Sequence, residues 1–287
     1  GAIKVSSKHM ISVYGSTGFI GSCYCNLYSD KIIPINREQR EPQSKNILYL
    51  ISTTHNYNVF DRPLLDINTN LNVLIETLES CRKKYNSDFI FNFISSWFVY
   101  GKTQDFPVSE SSNCNPKGFY SITKRAAEQM LISYCETYNI NYRILRLANI
   151  YGTKDTKASK KKNAFVHLIK EVSRGRDIEL YNNGEDIRDF LHVSDACDAI
   201  NLIINKGDLN EIYNIGSGQP RTFIETMNYA REKSGLNSKF KFINPPEFHE
   251  IVQIKDMYLN ISKLKNLGFK QKISIWRGLD EIIRNSK

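Results

Sequence analysis

A short apolar run, Ile11 to Tyr14, breaks at Gly15 and enters Gly15-Ser16-Thr17-Gly18-Phe19-Ile20-Gly21, after which a helical pattern runs from Phe19 to Tyr28. Few folds accommodate this junction. Gly15 permits a tight turn out of the strand, Gly18 lets a ligand approach the backbone, and Gly21 lets the helix pack closely on the strand. The helix N-terminus then offers free N–H groups and a positive dipole end, a cradle for phosphate. Three glycines alone are weak grounds, and a glycine-rich turn without a ligand is the bland alternative. Their place at a first strand-to-helix junction gives them weight.

Further apolar runs continue the alternation. Ile32–Ile35, Ile47–Ser52, Phe89–Ile94 and Tyr142–Leu147 read as strands, and Ile67–Lys84 and Tyr120–Tyr138 as helices, the first opened by Asp66 as a cap. Such βαβ units predict an α/β chain built on a Rossmann-type, doubly wound parallel sheet. Beyond Tyr151 the alternation loosens: Asn163–Ser173, Val193–Ile204, Thr222–Lys233 and Ser274–Arg284 read as helices and Glu211–Ile215 as a strand. The pattern divides the chain into a dinucleotide-binding part over 10–155, with returns near 189–215 and 238–245. Residues 156–287 then form mainly a smaller, interleaved C-terminal substrate-binding lobe. Between Asn36 and Ile47 there is too little chain for another strand and helix. The third strand of the 3-2-1-4-5-6 order is therefore expected to be shortened or missing, an edge loss that leaves the core intact and the adenine pocket shallower.

At 287 residues and 41% hydrophobic, the chain can bury a substantial core. No apolar run of about 18 residues occurs, so no membrane span is expected. Cys23, Cys25, Cys81, Cys114, Cys135 and Cys197 lack paired spacing and read as reduced thiols of a cytoplasmic protein; the five histidines are equally dispersed, so no metal site is expected. The formal charge of +9 raises a nucleic-acid partner. However, the densest basic cluster, Lys154, Lys157, Lys160, Lys161 and Lys162, holds no aromatic residue for base stacking, and no nucleic acid is expected. The cluster reads first as a solvated loop and second as positive potential near an anionic substrate. Gly1–His9, ahead of Met10, reads as an expression remnant.

Two pairs of residues carry chemistry. Tyr120 and Lys124 in Tyr120-Ser121-Ile122-Thr123-Lys124 share one helix face, and the ammonium is expected to draw the phenol pKa down from its usual value near 10, a proton carrier for a substrate hydroxyl. The bland alternative is an ordinary helix surface. Ser95 and Ser96 end a strand at the side where α/β sheets bind ligands, so Ser96 can bond the same oxygen; Ser-Ser is also ordinary turn chemistry. At the end of the second strand, where an acidic residue would hold the 2′-hydroxyl of NAD, stand Asn36 and Arg37. Arg37 can pair with a 2′-phosphate, which favours NADP(H) over NAD(H); a solvent-exposed arginine is the alternative.

In order along the chain come GSTGFIG, Ser95-Ser96-Trp97-Phe98-Val99-Tyr100-Gly101, YSITK, Arg146-Leu147-Ala148-Asn149-Ile150-Tyr151-Gly152, Arg188-Asp189-Phe190-Leu191-His192-Val193 and Tyr213-Asn214-Ile215-Gly216-Ser217-Gly218. Together with Ser262-Lys263-Leu264 and Leu267-Gly268-Phe269, they resemble the extended short-chain dehydrogenase/reductase family, specifically its nucleotide-sugar epimerases, dehydratases and 4-ketoreductases. The resemblance covers about residues 10–285. It implies a catalytic triad of Ser96, Tyr120 and Lys124. It assigns Gly15, Thr17, Gly18, Phe19, Ile20, Gly21, Asn36, Arg37, Thr53, Tyr120 and Lys124 to the cofactor. Ser96, Trp97, Asn149 and Arg188 go to the nucleotide-activated sugar, Arg188 to its diphosphate, where a guanidinium fork matches phosphate oxygens. The alternative for Arg188 is an ion pair with Asp189 or Glu185. Asn70 would lie near Ser96, and a homodimer through the 67–84 and 120–138 helices is implied.

Two departures bear on the reaction. Trp97 and Phe98 stand where the 4,6-dehydratases of the family carry an acidic pair, and two aromatics cannot transfer those protons, which argues against a 4,6-dehydratase. His55 in Ser52-Thr53-Thr54-His55 is either a substrate-side acid–base group or a structural hydrogen-bonding residue. The leading reading is NADPH-dependent reduction of a nucleotide-linked 4-keto (deoxy)sugar, with Tyr120 as proton donor. The others are an NAD-dependent C4 epimerase or dehydrogenase, and a non-catalytic dinucleotide-binding protein on the same fold.

Overall fold

The computed structural model describes residues 9–103, 105–155 and 164–287. The first strand, β1 (Ile11–Tyr14), turns at Gly15 into α1 (Phe19–Leu27), followed by β2 (Ile32–Pro34) and β3 (Asn46–Tyr49). Short helices α2 (Asn58–Asp61) and α3 (Leu65–Ile67) lead through a π-helical turn, Asn68–Asn72, into α4 (Val73–Tyr85). Then come β4 (Ile90–Ser96), a 3-10 turn at Trp97–Tyr100, α5 (Phe119–Tyr138), β5 (Asn141–Leu147) and β6 (Asn149–Tyr151). The remainder begins with α6 (Ala164–Ser173), β7 (Ile178–Tyr181), β8 (Ile187–Arg188) and β9 (Phe190–His192). It continues through α7 (Val193–Lys206), β10 (Glu211–Ile215), β11 (Arg221–Thr222) and α8 (Phe223–Ser234). It ends with β12 (Phe240–Ile243), α9 (Glu247–Val252), α10 (Ser262–Asn266) and α11 (Ile275–Asn285).

Six parallel strands form one sheet in the order β10-β5-β4-β3-β1-β2. The order reverses between β1 and β3, which opens a crevice beyond the strands' C-terminal ends. Strand alternation divides the core. Ile11, Val13 and Leu48 face the side of α1 and α7, while Tyr14, Ile47, Tyr49, Phe91 and Phe93 face α4 and α5. A third apolar cluster lies among α6, α8, α11 and β7, where Phe165 stacks on Phe190.

The expected third strand is absent, and β2 is the edge. Residues 35–45 instead run as a strap along the β1 face on the α4 side. Ser12 and Ser44 share a hydrogen bond of 2.8 Å, Tyr14 Oη donates to Arg40 O at 2.6 Å, and Lys84 Nζ donates to Pro42 O at 2.7 Å. Polar anchors on a buried face thus replace a helix's apolar stripe.

The expected return of 238–245 to the main sheet does not occur. Phe240–Ile243 pairs in parallel with β7 as a separate two-stranded ladder, because Phe240 packs into the third cluster beside Ile178 and Leu180. Glu211–Ile215 does rejoin the sheet, beside β5. Asp66 is no cap: it lies inside α3, and its carboxylate accepts from Thr53 Oγ1.

Candidate active site

A cleft of about 780 Å³ runs from the glycine turn, past the ends of β3, β4 and β5, to β7, β8 and α9. That is the size of a pocket for a small-molecule ligand. Gly15 makes its turn at φ +78°, and a Cβ on Gly21 would stand 2.1 Å from Gly15 O, so α1 could not seat on β1 with any larger residue there. Gly18 is exposed, and a Cβ there would meet only Gly15 O, at 3.6 Å. Gly15, Gly18, Phe19, Ile20 and Gly21 line the cleft, as does Thr53. These features fit a dinucleotide diphosphate at the start of α1. Thr17, Asn36 and Arg37 are exposed and lie outside the lining.

The helix α5 carries Tyr120, Lys124, Ala127, Leu131 and Cys135 on its buried stripe, so one face supplies chemistry at its first turns and packing beyond. Its N-terminus begins at Gly118 without a side-chain cap of its own. Asn56 serves instead: its Oδ1 accepts from Ser121 N at 3.1 Å, filling one of the orphan N–H groups of the first turn. A Cβ on Gly118 would fall 2.1 Å from that oxygen. The loop after β3 is thereby fastened to the helix that bears Tyr120.

Ser96, Tyr120 and Lys124 come together at the end of β4. Tyr120 is buried, 7% exposed, and its phenol is hydrogen-bonded with Ser96 and Ser52. Its pKa moves opposite to the expected direction. Burial pushes it up to about 12, the nearby Asp66 charge adds to this, and the two serine hydroxyls offset only part. Lys124 does not act on the phenol here: its Nζ donates to Ile94 O at 2.8 Å and lies 4.3 Å over the Phe93 ring. Burial brings Lys124 down to about 7, with Glu128 opposing. Ser96 Oγ also accepts from Phe98 N at 3.2 Å, capping the turn that carries Trp97 and Phe98.

At the far end, Arg188 is 5% exposed. It donates to Ile187 O and Lys255 O, at 2.8 and 2.6 Å, and stacks over Trp97 and Phe223. The ion pair with Asp189 or Glu185 does not form. Asp189 is turned the other way, accepting from Ser217 N and Oγ, Gly218 N and Leu259 N. Among the described residues no carboxylate reaches salt-bridge distance of Arg188, and burial lowers its pKa to about 10. Asn149 lines the cleft at the start of β6, its N–H on Asp189 O.

The Asn70 amide bridges Thr53 and Thr123 at 2.8 to 2.9 Å. His55 lines the cleft and accepts from Tyr57 N at 3.2 Å. His249 was not foreseen. It lines the cleft edge-on to Tyr181, and burial with the Arg188 charge lowers it to about 4, so its imidazole is neutral. No motif surrounds it, and only the folding of α9 over the lobe brings it there. Of the basic cluster, only Lys154 falls within the described residues. Among those residues no helix is long and apolar enough to cross a membrane, and no group of three or more histidine, cysteine, aspartate or glutamate residues could hold a metal. The six cysteines are free.

This glycine turn, serine, tyrosine and lysine on one crevice have a counterpart among known proteins. The model of the NAD dependent epimerase/dehydratase family matches residues 45–216. The chain belongs to that family. It is 27% identical to a putative UDP-glucose 4-epimerase of Methanocaldococcus jannaschii, over 96% of this chain and 97% of the relative. Two further archaeal relatives align over only 59% and 56% of their own lengths. Among solved structures, UDP-glucose 4-epimerase of Thermotoga maritima with UDP-glucose superposes with a TM-score of 0.85 at 23% identity, covering 96% and 97% of the two chains. RMD of Pseudomonas aeruginosa, complexed with NADPH, gives 0.83 at 19%, covering 97% and 99%. The two structures establish the Rossmann-type fold shared with such enzymes.

Proposed function

We propose that the protein reduces a nucleotide-linked 4-keto sugar with NADPH. The observation that carries this is the gathering of Ser96, Tyr120 and Lys124 with the glycine turn on one cleft, where the Tyr120 phenol can give a proton to an alkoxide forming at C4. A bound nicotinamide dinucleotide supplies the hydride. Ser96 would hold the same oxygen in line, and Lys124, which donates to Ile94 O, would meet the cofactor ribose. Gly15, Gly18 and Gly21 with the start of α1 hold the diphosphate of the cofactor, flanked by Thr17, Phe19, Ile20 and Thr53. Asn149 and Arg188 hold the nucleotide sugar, Arg188 by its diphosphate. Arg37, beside Asn36 and without a hydrogen-bond partner for its guanidinium among the described residues, is free to pair with a 2′-phosphate.

A C4 epimerase retaining NAD is the second reading, and the nearly full-length likeness to a putative UDP-glucose 4-epimerase favours it. The two part on cofactor use. A reductase consumes one NADPH per 4-keto sugar, whereas an epimerase purifies with nucleotide bound and turns over with none added. Tyr120→Phe is expected to lower turnover by about 10² to 10⁴ in either case. Turnover unchanged by the substitution would remove Tyr120 from the chemistry, and no turnover in the parent protein with any nucleotide sugar and cofactor would leave only a binding protein. The exposed apolar residues Ile122 and Met130 of α5 and Ile67 beside α4 support a homodimer through these helices, which sedimentation would detect.

A further inference from the structure

Cys23 and Cys197 stand outside the lining of the cleft, between α1 and α7. The two helices pack in register. Ile20 O accepts from Cys197 Sγ at 3.9 Å, and one turn further along both helices Tyr24 Oη donates to Asn201 Oδ1 at 3.4 Å. Cys23 follows Ile20 by three residues and so shares this face of α1, where its thiol is hydrogen-bonded with that of Cys197.

The two thiols are unequal. Cys197 is buried, while Cys23 is only half-buried. The Cys197 hydrogen bond, helped by the Lys154 charge, holds the Cys23 thiol below its ordinary pKa against burial and Asp198. Asp198 is itself engaged, by Tyr28 Oη at 2.8 Å and Lys272 Nζ at 3.3 Å. The hydrogen bond to Cys23, together with burial, pushes Cys197 up. Such a pair suits successive roles, in which the half-exposed sulfur meets an oxidant and the buried one resolves it.

The pair also sits where movement of α1 matters. That helix abuts the glycine turn without slack, since a Cβ on Gly21 would stand 2.1 Å from Gly15 O. Ile20, which takes the Cys197 hydrogen bond, lines the cleft. A disulfide holds its sulfurs at about 2.05 Å, closer than hydrogen-bonded thiols, so forming one draws α1 onto α7 and shifts the first-turn N–H groups.

We propose that Cys23 and Cys197 are a hydroperoxide-sensitive pair whose disulfide weakens the hold of the glycine turn on a dinucleotide. The covalent half stands on the pair alone, and the second half rests on the cofactor reading given above. The Cys23 thiolate attacks the peroxide, the O–O bond breaks, and a sulfenic acid and, after protonation, water result. The Cys197 sulfur then attacks the sulfenic sulfur, the S–S bond forms, and the hydroxyl leaves with the Cys197 proton as water. Two thiols and one hydrogen peroxide thus give one disulfide and two waters.

The test treats the reduced full chain with hydrogen peroxide, maps cross-links by mass spectrometry of the unreduced tryptic peptides, and titrates NADPH and NADH before and after. A cross-link between the peptides of Cys23 and Cys197 is expected. The dinucleotide Kd should rise on the order of tenfold, the worth of one hydrogen bond to a charged group, and dithiothreitol should restore it. Cys25 shares the Cys23 peptide, so Cys25→Ser should keep both effects, whereas Cys23→Ser and Cys197→Ser should each abolish both. Cys23 is half-buried, so its variant keeps the test open should Cys197→Ser fail to fold. Free thiols after treatment, Cys23 driven on to sulfinic acid, or a cross-link that survives Cys23→Ser overturns the proposal. A Cys23–Cys197 disulfide with unchanged affinity overturns it as well. Should the reduced protein bind neither dinucleotide, the cofactor reading fails and takes the second half with it, while the peptide map still decides the first.

Discussion

Arg146, beneath α5, and Arg188, at the cleft, are both buried guanidinium groups in opposite surroundings. Arg146 makes two hydrogen bonds to Glu128, Nε to Oε2 at 2.9 Å and NH2 to Oε1 at 2.8 Å, and faces the Tyr100 ring. Burial works against its charge, yet the Glu128 hydrogen bonds and charge hold its pKa above the ordinary arginine range. Arg188 has carbonyls and aromatic faces instead of a bonded carboxylate, and there burial prevails over the more distant Asp186 and Asp256. The first arginine is complete within the fold. The second lines the cleft with no carboxylate bonded to it, and an anionic ligand would complete it.

Removing the partner of the complete pair should have the largest effect. Glu128→Ala strands the Arg146 charge in the interior and should lower the unfolding free energy in urea by about 3–5 kcal/mol. Arg188→Met should do the reverse in kind. Affinity for a nucleotide diphosphate sugar, measured by titration, should fall by about 2 kcal/mol, roughly 30-fold, with stability changed by less than about 1 kcal/mol. If Arg188→Met destabilised the fold as Glu128→Ala does, the contrast between the two arginines would be lost.

Lys124 sharpens the comparison as a third buried cation, tied to a carbonyl alone. Its folded pKa, about 7, lies below the 10.5 of the unfolded chain, so between these values the unfolded state binds the extra proton. The penalty for burying the ammonium is full below about pH 7 and disappears as the pH rises towards 10.5. Stability relative to Lys124→Met should accordingly rise by about 1 kcal/mol from pH 7 to pH 8, the smallest of the three effects. Parallel stability–pH curves for the two proteins would show that the ammonium is not desolvated.

Much of this was legible in the chain because it is local. A strand running into Gly15 and Gly21, a tyrosine and lysine one turn apart, and apolar runs of strand length each carry their meaning within a few residues. The shortness of the segment between Asn36 and Ile47 likewise foretold the missing strand. What was not legible depends on distant partners. The spacing of Tyr120 and Lys124 suggested a lowered phenol pKa, but spacing does not reveal that Ile94 O takes the ammonium or how far burial desolvates the phenol. Asn56 as a cap for α5, Asp189 turned to Ser217, and His249 in the cleft all join segments far apart in the chain. Phe240–Ile243 has strand character, but only packing decided which ladder it joined.

The strap that stands in for the lost strand also determines how the sheet meets its surroundings. It leaves β2, three residues long, as the outermost rung. The Ile35 N–H is turned inward to Val13 O at 2.9 Å, so the amide of the preceding residue faces out, and that residue is Pro34, which has no hydrogen to offer. A margin so short, and missing a donor where a stranger's backbone would dock, guards against edge-to-edge aggregation without the covering elements a longer chain would need.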